Sequence, residues 1–93
     1  MEDLQETVNR LPHEPGIYIY KNAHHRVIYV GKAKDLSRRV KQYFQRKDEF
    51  DIKTSRLVSQ VAYIDTIPTT SEFDALLLEA KLIRSYLPKY NVI

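Results

Sequence analysis

Gly16-Ile17-Tyr18-Ile19-Tyr20-Lys21 and Arg26-Val27-Ile28-Tyr29-Val30-Gly31, joined by Asn22-Ala23-His24-His25, are the stretches that decide the fold. Both are rich in β-branched and aromatic residues and a turn-like tetrapeptide separates them, so together they read as a β-hairpin. A four-residue loop over 22–25 sets Tyr18 opposite Tyr29. That register puts Tyr18, Tyr20, Val27 and Tyr29 on one face of the sheet and Ile17, Ile19, Ile28 and Val30 on the other.

Helical signals lie on both sides of the hairpin. Leu4, Val8 and Leu11 recur at helical spacing until Pro12 and Pro15 end the pattern. Asp35 is placed to cap a helix that runs to about Arg46 and carries Leu36, Val40, Tyr43 and Phe44 on one face. Residues 47–53 are charged and read as loop, 54–60 as a short helix, and 62–69 as a strand that Pro68 marks as an edge or strand end. Ser71-x-x-Asp74 resembles a capping box and opens a helix to about Tyr86, which Pro88 stops. The sequence contains no repeat, low-complexity segment or internal linker. The expected fold class is α+β, with residues 1–93 as a single domain: a small three-stranded antiparallel sheet with helices packed around it.

Ninety-three residues with 43% hydrophobic content support one modest core, and with no Cys there is no disulfide or thiolate metal site to brace it. The lack of Cys also allows a cytosolic, reducing compartment. No apolar run approaches the ~20 residues of a membrane span. The acidic opening Met1-Glu2-Asp3-Leu4-Gln5-Glu6 lacks the layout of a signal peptide. The net charge of +3 is unevenly distributed. Residues 32–47 hold seven basic side chains against Asp35 alone, whereas the rest of the chain holds eight Lys and Arg against eleven Asp and Glu. A basic block in an otherwise acidic domain suggests a polyanionic partner, although a solvated helix face gives the same pattern.

Three positions stand out chemically. At 100° per residue the last helix gathers Asp74, Lys81, Arg84 and Ser85 on one side, while Glu79 falls on the opposite side, flanked by Ala75, Leu76, Leu82 and Ile83. An ionised carboxylate there costs several kcal/mol unless a metal ion, a basic partner or a raised pKa offsets it. Arg39 borders the apolar face of the basic helix one turn before Tyr43, either to bury its stem or to present a donor fork to a phosphate. Arg38 points about 100° away and is expected to be solvated. Gly31-Lys32 brings a bare backbone and then an ammonium to the end of the second strand. His13, His24 and His25 lack metal-ligand spacing, and no Gly-rich phosphate loop is present.

Gly16-Ile17-Tyr18, Tyr29-Val30-Gly31, Arg39, Glu79 and Asn91, in that order, resemble the signature of the GIY-YIG nuclease superfamily, with Val30 where the name has Ile. The chain is most similar to the UvrC-type N-terminal domain. That likeness rests on Leu11-Pro12 with Pro15-Gly16, Tyr29-Val30-Gly31-Lys32-Ala33-Lys34-Asp35-Leu36, Arg39-Val40, Tyr43-Phe44, Ala75-Leu76-Leu77-Leu78-Glu79-Ala80 and Pro88-Lys89-Tyr90-Asn91-Val92. It runs from Leu11 to Ile93, and implies an isolated N-terminal part of a longer protein. The resemblance implies a metal-dependent DNA endonuclease that makes the 3′ incision of nucleotide excision repair. It further implies a cytoplasmic monomer, with UvrA-like and UvrB-like partners contacted by the remainder of the longer protein.

By the same resemblance, Glu79 holds one divalent ion, Mg2+ or Mn2+, since hard cations suit a carboxylate, waters and a substrate phosphate. Arg39 steadies the charged phosphorus. Tyr29 deprotonates or orients the attacking water, and Tyr18, Lys32, Tyr43 and Asn91 line the same pocket. Acting as a base at neutral pH would require roughly 4 kcal/mol of phenolate stabilisation. Lys34, Lys41, Arg46 and Lys47 are expected to contact DNA phosphates without reading sequence. The competing readings are a non-catalytic nucleic-acid-binding module on the same scaffold and a free-standing short GIY-YIG nuclease with another substrate. Magnesium-dependent nicking separates the first from the leading reading, and the reading frame beyond Ile93 separates the second.

Overall fold

In the computed structural model, which describes residues 3–45 and 50–91, local signals start and stop most elements. The Asp3 carboxylate accepts from the Glu6 N–H and begins α1 (Leu4–Asn9). The hairpin follows as β1 (Gly16–Lys21) and β2 (Val27–Ala33). Asp35 Oδ1 accepts from the Arg38 N–H at 3.0 Å at the start of α2 (Leu36–Gln45). Asp51 caps α3 (Ile52–Gln60), which therefore begins two residues earlier than its apolar pattern suggests. After β3 (Tyr63–Pro68), the Ser71 hydroxyl accepts from Asp74 N–H at 3.1 Å and opens α4 (Glu72–Tyr86). Leu87 ends α4 in the left-handed region, at φ 46° and ψ 56°, its N–H bonded to Ile83 O, with Pro88 beyond it. Among the described residues no helix is long and apolar enough to cross a membrane.

The sheet is antiparallel throughout, in the order β2-β1-β3, so the strand that Pro68 marks lies at an edge. Its register differs from the expected one. Tyr18 lies opposite Gly31 and Tyr20 opposite Tyr29, a shift of two residues that leaves the faces of positions 17–20, 29 and 30 unchanged. Near the turn a bulge pairs Lys21 with Val27 and exchanges the faces of Val27 and Ile28. The loop chemistry accounts for this. Asn22 Oδ1 accepts from the N–H groups of His24 and Arg26, and His25 takes a positive φ of 61°. Such a loop is longer than a four-residue connection and resets the pairing on its far side.

Two cores result, one on each face. On one, Tyr18, Tyr20 and Ile28 meet Val8, Leu36, Val40, Tyr43 and Leu57 from α1, α2 and α3. On the other, Ile17, Ile19 and Val30 meet Ala75, Leu78, Leu82 and Ile83 of α4. Leu76 does not share that packing. It is 46% exposed and lies with the exposed Phe73 and Leu77 on the outward side of α4, which packs chiefly on β1 and β2.

Candidate active site

The two motif glycines are required by close approach of other groups. A Cβ on Gly31 would run into the ring and hydroxyl of Tyr18, and one on Gly16 into the backbone of Ile67 and Pro68. Tyr18 can therefore lie across β2 and reach α2, where its hydroxyl shares a 3.2 Å hydrogen bond with Tyr43 Oη. Arg39 Nη2 donates to the same Tyr43 oxygen at 3.3 Å, and Nη1 donates to Gln42 Oε1 at 3.1 Å. The Arg39 guanidinium also sits 4.9 Å from the Tyr43 ring centre. Tyr29 completes the cluster, 6.1 Å from the Tyr18 ring and 6.4 Å from that of Tyr43.

The members differ in access. Tyr18 and Tyr43 are buried, Tyr29 is half-buried, and the Arg39 side chain reaches the surface. Burial pushes the Tyr29 phenol up to about 12, aided by Tyr43 and by the Glu79 charge, with Arg39 pulling the other way. Burial and Tyr43 raise Tyr18 further. Burial alone would lower the Arg39 pKa, but the phenols of Tyr18, Tyr43 and Tyr29 outweigh it and hold the group above its usual value.

Glu79 projects from α4 between Ala75 and Ile83, half-buried, and its charge acts on Tyr29. Among the described residues it has neither a hydrogen bond nor an ion pair, and no three acids, histidines or cysteines gather into a metal cage. This donor set suits a hard cation that completes its shell with water and a phosphate, as magnesium does.

Asn91 does something its sequence context does not suggest. It braces the outer edge of β2, with Val30 N–H donating to its Oδ1 and its Nδ2 donating to Val30 O, both at 2.8 Å. Tyr90 N–H bonds to Ile28 O and the Tyr90 hydroxyl accepts from Gln60 Nε2 at 2.8 Å, so the segment after α4 is pinned beside Tyr29. Sequence reasoning missed Gln42 and Gln60. Gln42 stands three residues after Arg39 on one helix and could have been found by that spacing. Gln60 lies 30 residues from Tyr90 and leaves no such signal.

The remaining candidates are dispersed. Lys32 and Lys34 are exposed on the sheet end beside α2 and α4, and Lys34 Nζ lies 3.9 Å from Glu72 Oε1. Lys41 faces a separate hollow with His13 and Gln45. Arg46 and Lys47 lie outside the described residues. His13 Nδ1 bonds the Asp35 carboxylate at 2.9 Å, His24 is exposed, and His25 stacks on Tyr63 at 4.3 Å.

The UvrC-like GIY-YIG domain family matches residues 14–92. UvrABC system protein C of Clostridium tetani is 47% identical over the whole chain, and that of Caldanaerobacter subterraneus 46% identical over 98% of it. The chain spans 15% of the length of each of these relatives. Among solved structures, the GIY-YIG N-terminal endonuclease domain of UvrC from Thermotoga maritima, bound to its catalytic magnesium, superposes with a TM-score of 0.85 at 39% identity. That match covers 99% of this chain and all of the other. A point mutant of the same domain, bound to its catalytic divalent cation, superposes at 0.86 with 37% identity over the full length of both chains.

Proposed function

Since this chain belongs to the UvrC-like GIY-YIG domain family, we propose that it is a DNA endonuclease domain, dependent on magnesium or manganese, that hydrolyses one phosphodiester bond on the 3′ side of a lesion. The observation that carries this reading is that Arg39 and Glu79 both lie within electrostatic reach of Tyr29. The three come from β2 and from helices on opposite faces of the sheet, and the charges of Arg39 and Glu79 both act on the Tyr29 phenol.

Glu79 would hold the cation. When bound, a divalent ion offsets charge on the phosphate and makes nearby water more acidic. Arg39 spends two donors on Tyr43 and Gln42, which fix its plane, and keeps the others for a phosphate oxygen as charge builds on phosphorus. Tyr29 faces the attacking water, which it orients or deprotonates; burial and the Glu79 charge favour its neutral form, and Arg39 favours the phenolate. Water oxygen bonds to phosphorus as the bond to the leaving sugar oxygen breaks, and the proton the water gives up passes through solvent to that leaving oxygen. Lys32 adds positive charge at the rim. Tyr18, Tyr43 and Asn91 are positioning residues: the two phenols hold Arg39, and the amide holds the strand that bears Tyr29.

The longer relatives suggest a cytoplasmic protein whose other parts engage UvrA-like and UvrB-like partners. The test is nicking of a lesion-bearing duplex with magnesium and those partners present. Arg39→Ala and Glu79→Ala should each lower the rate by at least about a hundredfold while the circular dichroism spectrum stays parental. A folded mutant of either kind that nicks at the parental rate overturns the assignment. Parental protein that binds DNA but never nicks it would favour a binding module.

A further inference from the structure

A cavity of about 410 Å³ runs between the end of β2, the first turns of α2 and the start of α4, beside the proposed active site. Lys32, Lys34, Arg38 and Arg39 line it, Gln42 adds an amide, and Glu72 stands among them from α4. Asp35 also borders it, but its carboxylate is already held by Arg38 N–H and His13, which keep it below the usual carboxylate range. Arg38 makes no side-chain hydrogen bond or ion pair among the described residues. Arg39, the next residue on α2, reaches both this groove and the phenol cluster.

We propose that this groove seats a second phosphate of the DNA strand, next to the scissile one, gripped by Arg38 with Lys32 and Lys34, and that Glu72 holds the Lys34 ammonium until the strand arrives. The proposal rests on the nuclease reading, which fixes Arg39 at the scissile phosphate. Consecutive arginines on one helix point about 100° apart, so one can serve the reacting phosphate and the other its neighbour along the backbone. A guanidinium with no side-chain hydrogen bond or close ion pair among the described residues, only the Asp35 charge nearby, can take a phosphate without first breaking such a contact.

Glu72 is the informative member. A carboxylate in a phosphate groove repels the ligand, yet here it lies 3.9 Å from Lys34 Nζ, with both side chains largely exposed. A contact that loose adds little to folding and is readily exchanged for a phosphate. Glu72 also lies in the first turn of α4, where the helix dipole accommodates it whether or not Lys34 leaves.

Binding of a fluorescent duplex by the 93-residue chain, measured by anisotropy without divalent ions across a salt series, tests both halves. The domain is expected to be stable alone, as its crystallised relative is a domain of the same extent. Arg38→Ala should weaken binding about five- to tenfold and reduce the slope of log affinity against log salt by about one. Arg38→Lys should recover most of the affinity. Glu72→Gln should tighten binding about threefold, and that gain should shrink when Lys34→Ala is already present, because only the direct repulsion of the phosphate is then relieved. Parental affinity and slope in Arg38→Ala would remove the subsite, and no gain in Glu72→Gln would remove the gate. In nicking assays Arg38→Ala should raise KM and keep kcat at saturating DNA. A parental chain that never nicks would sink the nuclease reading while leaving the binding results to judge the groove.

Discussion

The two faces of the sheet are built from different chemistry. Under α4, the interior is Ile17, Ile19, Val30 and Ala75, with no polar side-chain atom among them. Under α2, the rings of Tyr18, Tyr20, Tyr29 and Tyr43 pack in tilted and edge-on contacts, Phe44 meets Tyr20 edge-on, and each buried tyrosine brings a hydroxyl indoors. Burying a hydroxyl without a partner costs about 1–3 kcal/mol. Tyr18 and Tyr43 meet that demand by bonding each other and Arg39, whereas Tyr20 Oη is buried with no hydrogen-bond partner among the described residues. The aliphatic face therefore only holds α4, and with it Glu79, in place. The phenolic face accepts poorer packing chemistry in order to fix the angle of a guanidinium.

The largest expected effect separates stability from chemistry. Ile17→Ala removes a fully buried side chain from the aliphatic face and should lower the unfolding free energy by about 2–5 kcal/mol in urea titration. The fraction that stays folded should nick at close to the parental rate. A large loss of rate per folded molecule would show that the aliphatic face also tunes the site.

Tyr43→Phe sharpens the contrast from the other side. It removes the oxygen that joins Tyr18 to Arg39 and keeps the ring, so kcat should fall about ten- to hundredfold. The unfolding free energy should shift by no more than about 1–2 kcal/mol. Unchanged kcat would reduce the phenol pair to ordinary packing.

The smallest effect belongs to Tyr20→Phe. Its hydroxyl has no partner to lose, so stability near neutral pH should rise slightly or stay within about 1 kcal/mol, read from the urea midpoint. Burial holds the Tyr20 pKa well above its usual value, with Tyr18 and Tyr43 adding to the shift. The neutral phenol's contribution is complete below the unfolded pKa near 10 and is lost as pH rises from there towards the folded value. Tyr20→Phe should therefore flatten the alkaline fall in stability. An equally steep fall would trace that loss to other groups.

Much of this was legible in the chain itself, and the reason is range. Asp35 and Ser71 start their helices through bonds to N–H groups three residues away, and Pro88 lies just past the end of α4. Alternation over 16–21 assigned the faces of β1 without reference to its neighbours. The same alternation could not count the residues in the turn. That depended on the two hydrogen bonds to the Asn22 side chain and the left-handed His25, which moved the register by two and sent Val27 and Ile28 to opposite faces from those expected. Leu76 was misjudged for a related reason: helical angle ranks positions around α4, but only the width of the sheet beneath decides how many of them are covered.

For the candidate site, residue identity and order pointed to Tyr29, Arg39 and Glu79, while their separation along the chain hid how they meet. Packing of α2 and α4 on opposite faces lets the charges of an acid and a guanidinium both act on one phenol, and the segment after α4 returns so that Asn91 can grip Val30, 61 positions earlier in the chain. Such contacts depend on the summed placement of every intervening element. Local dihedral preferences and side-chain caps set each element separately, and only the closed pair of cores sets how the elements face one another.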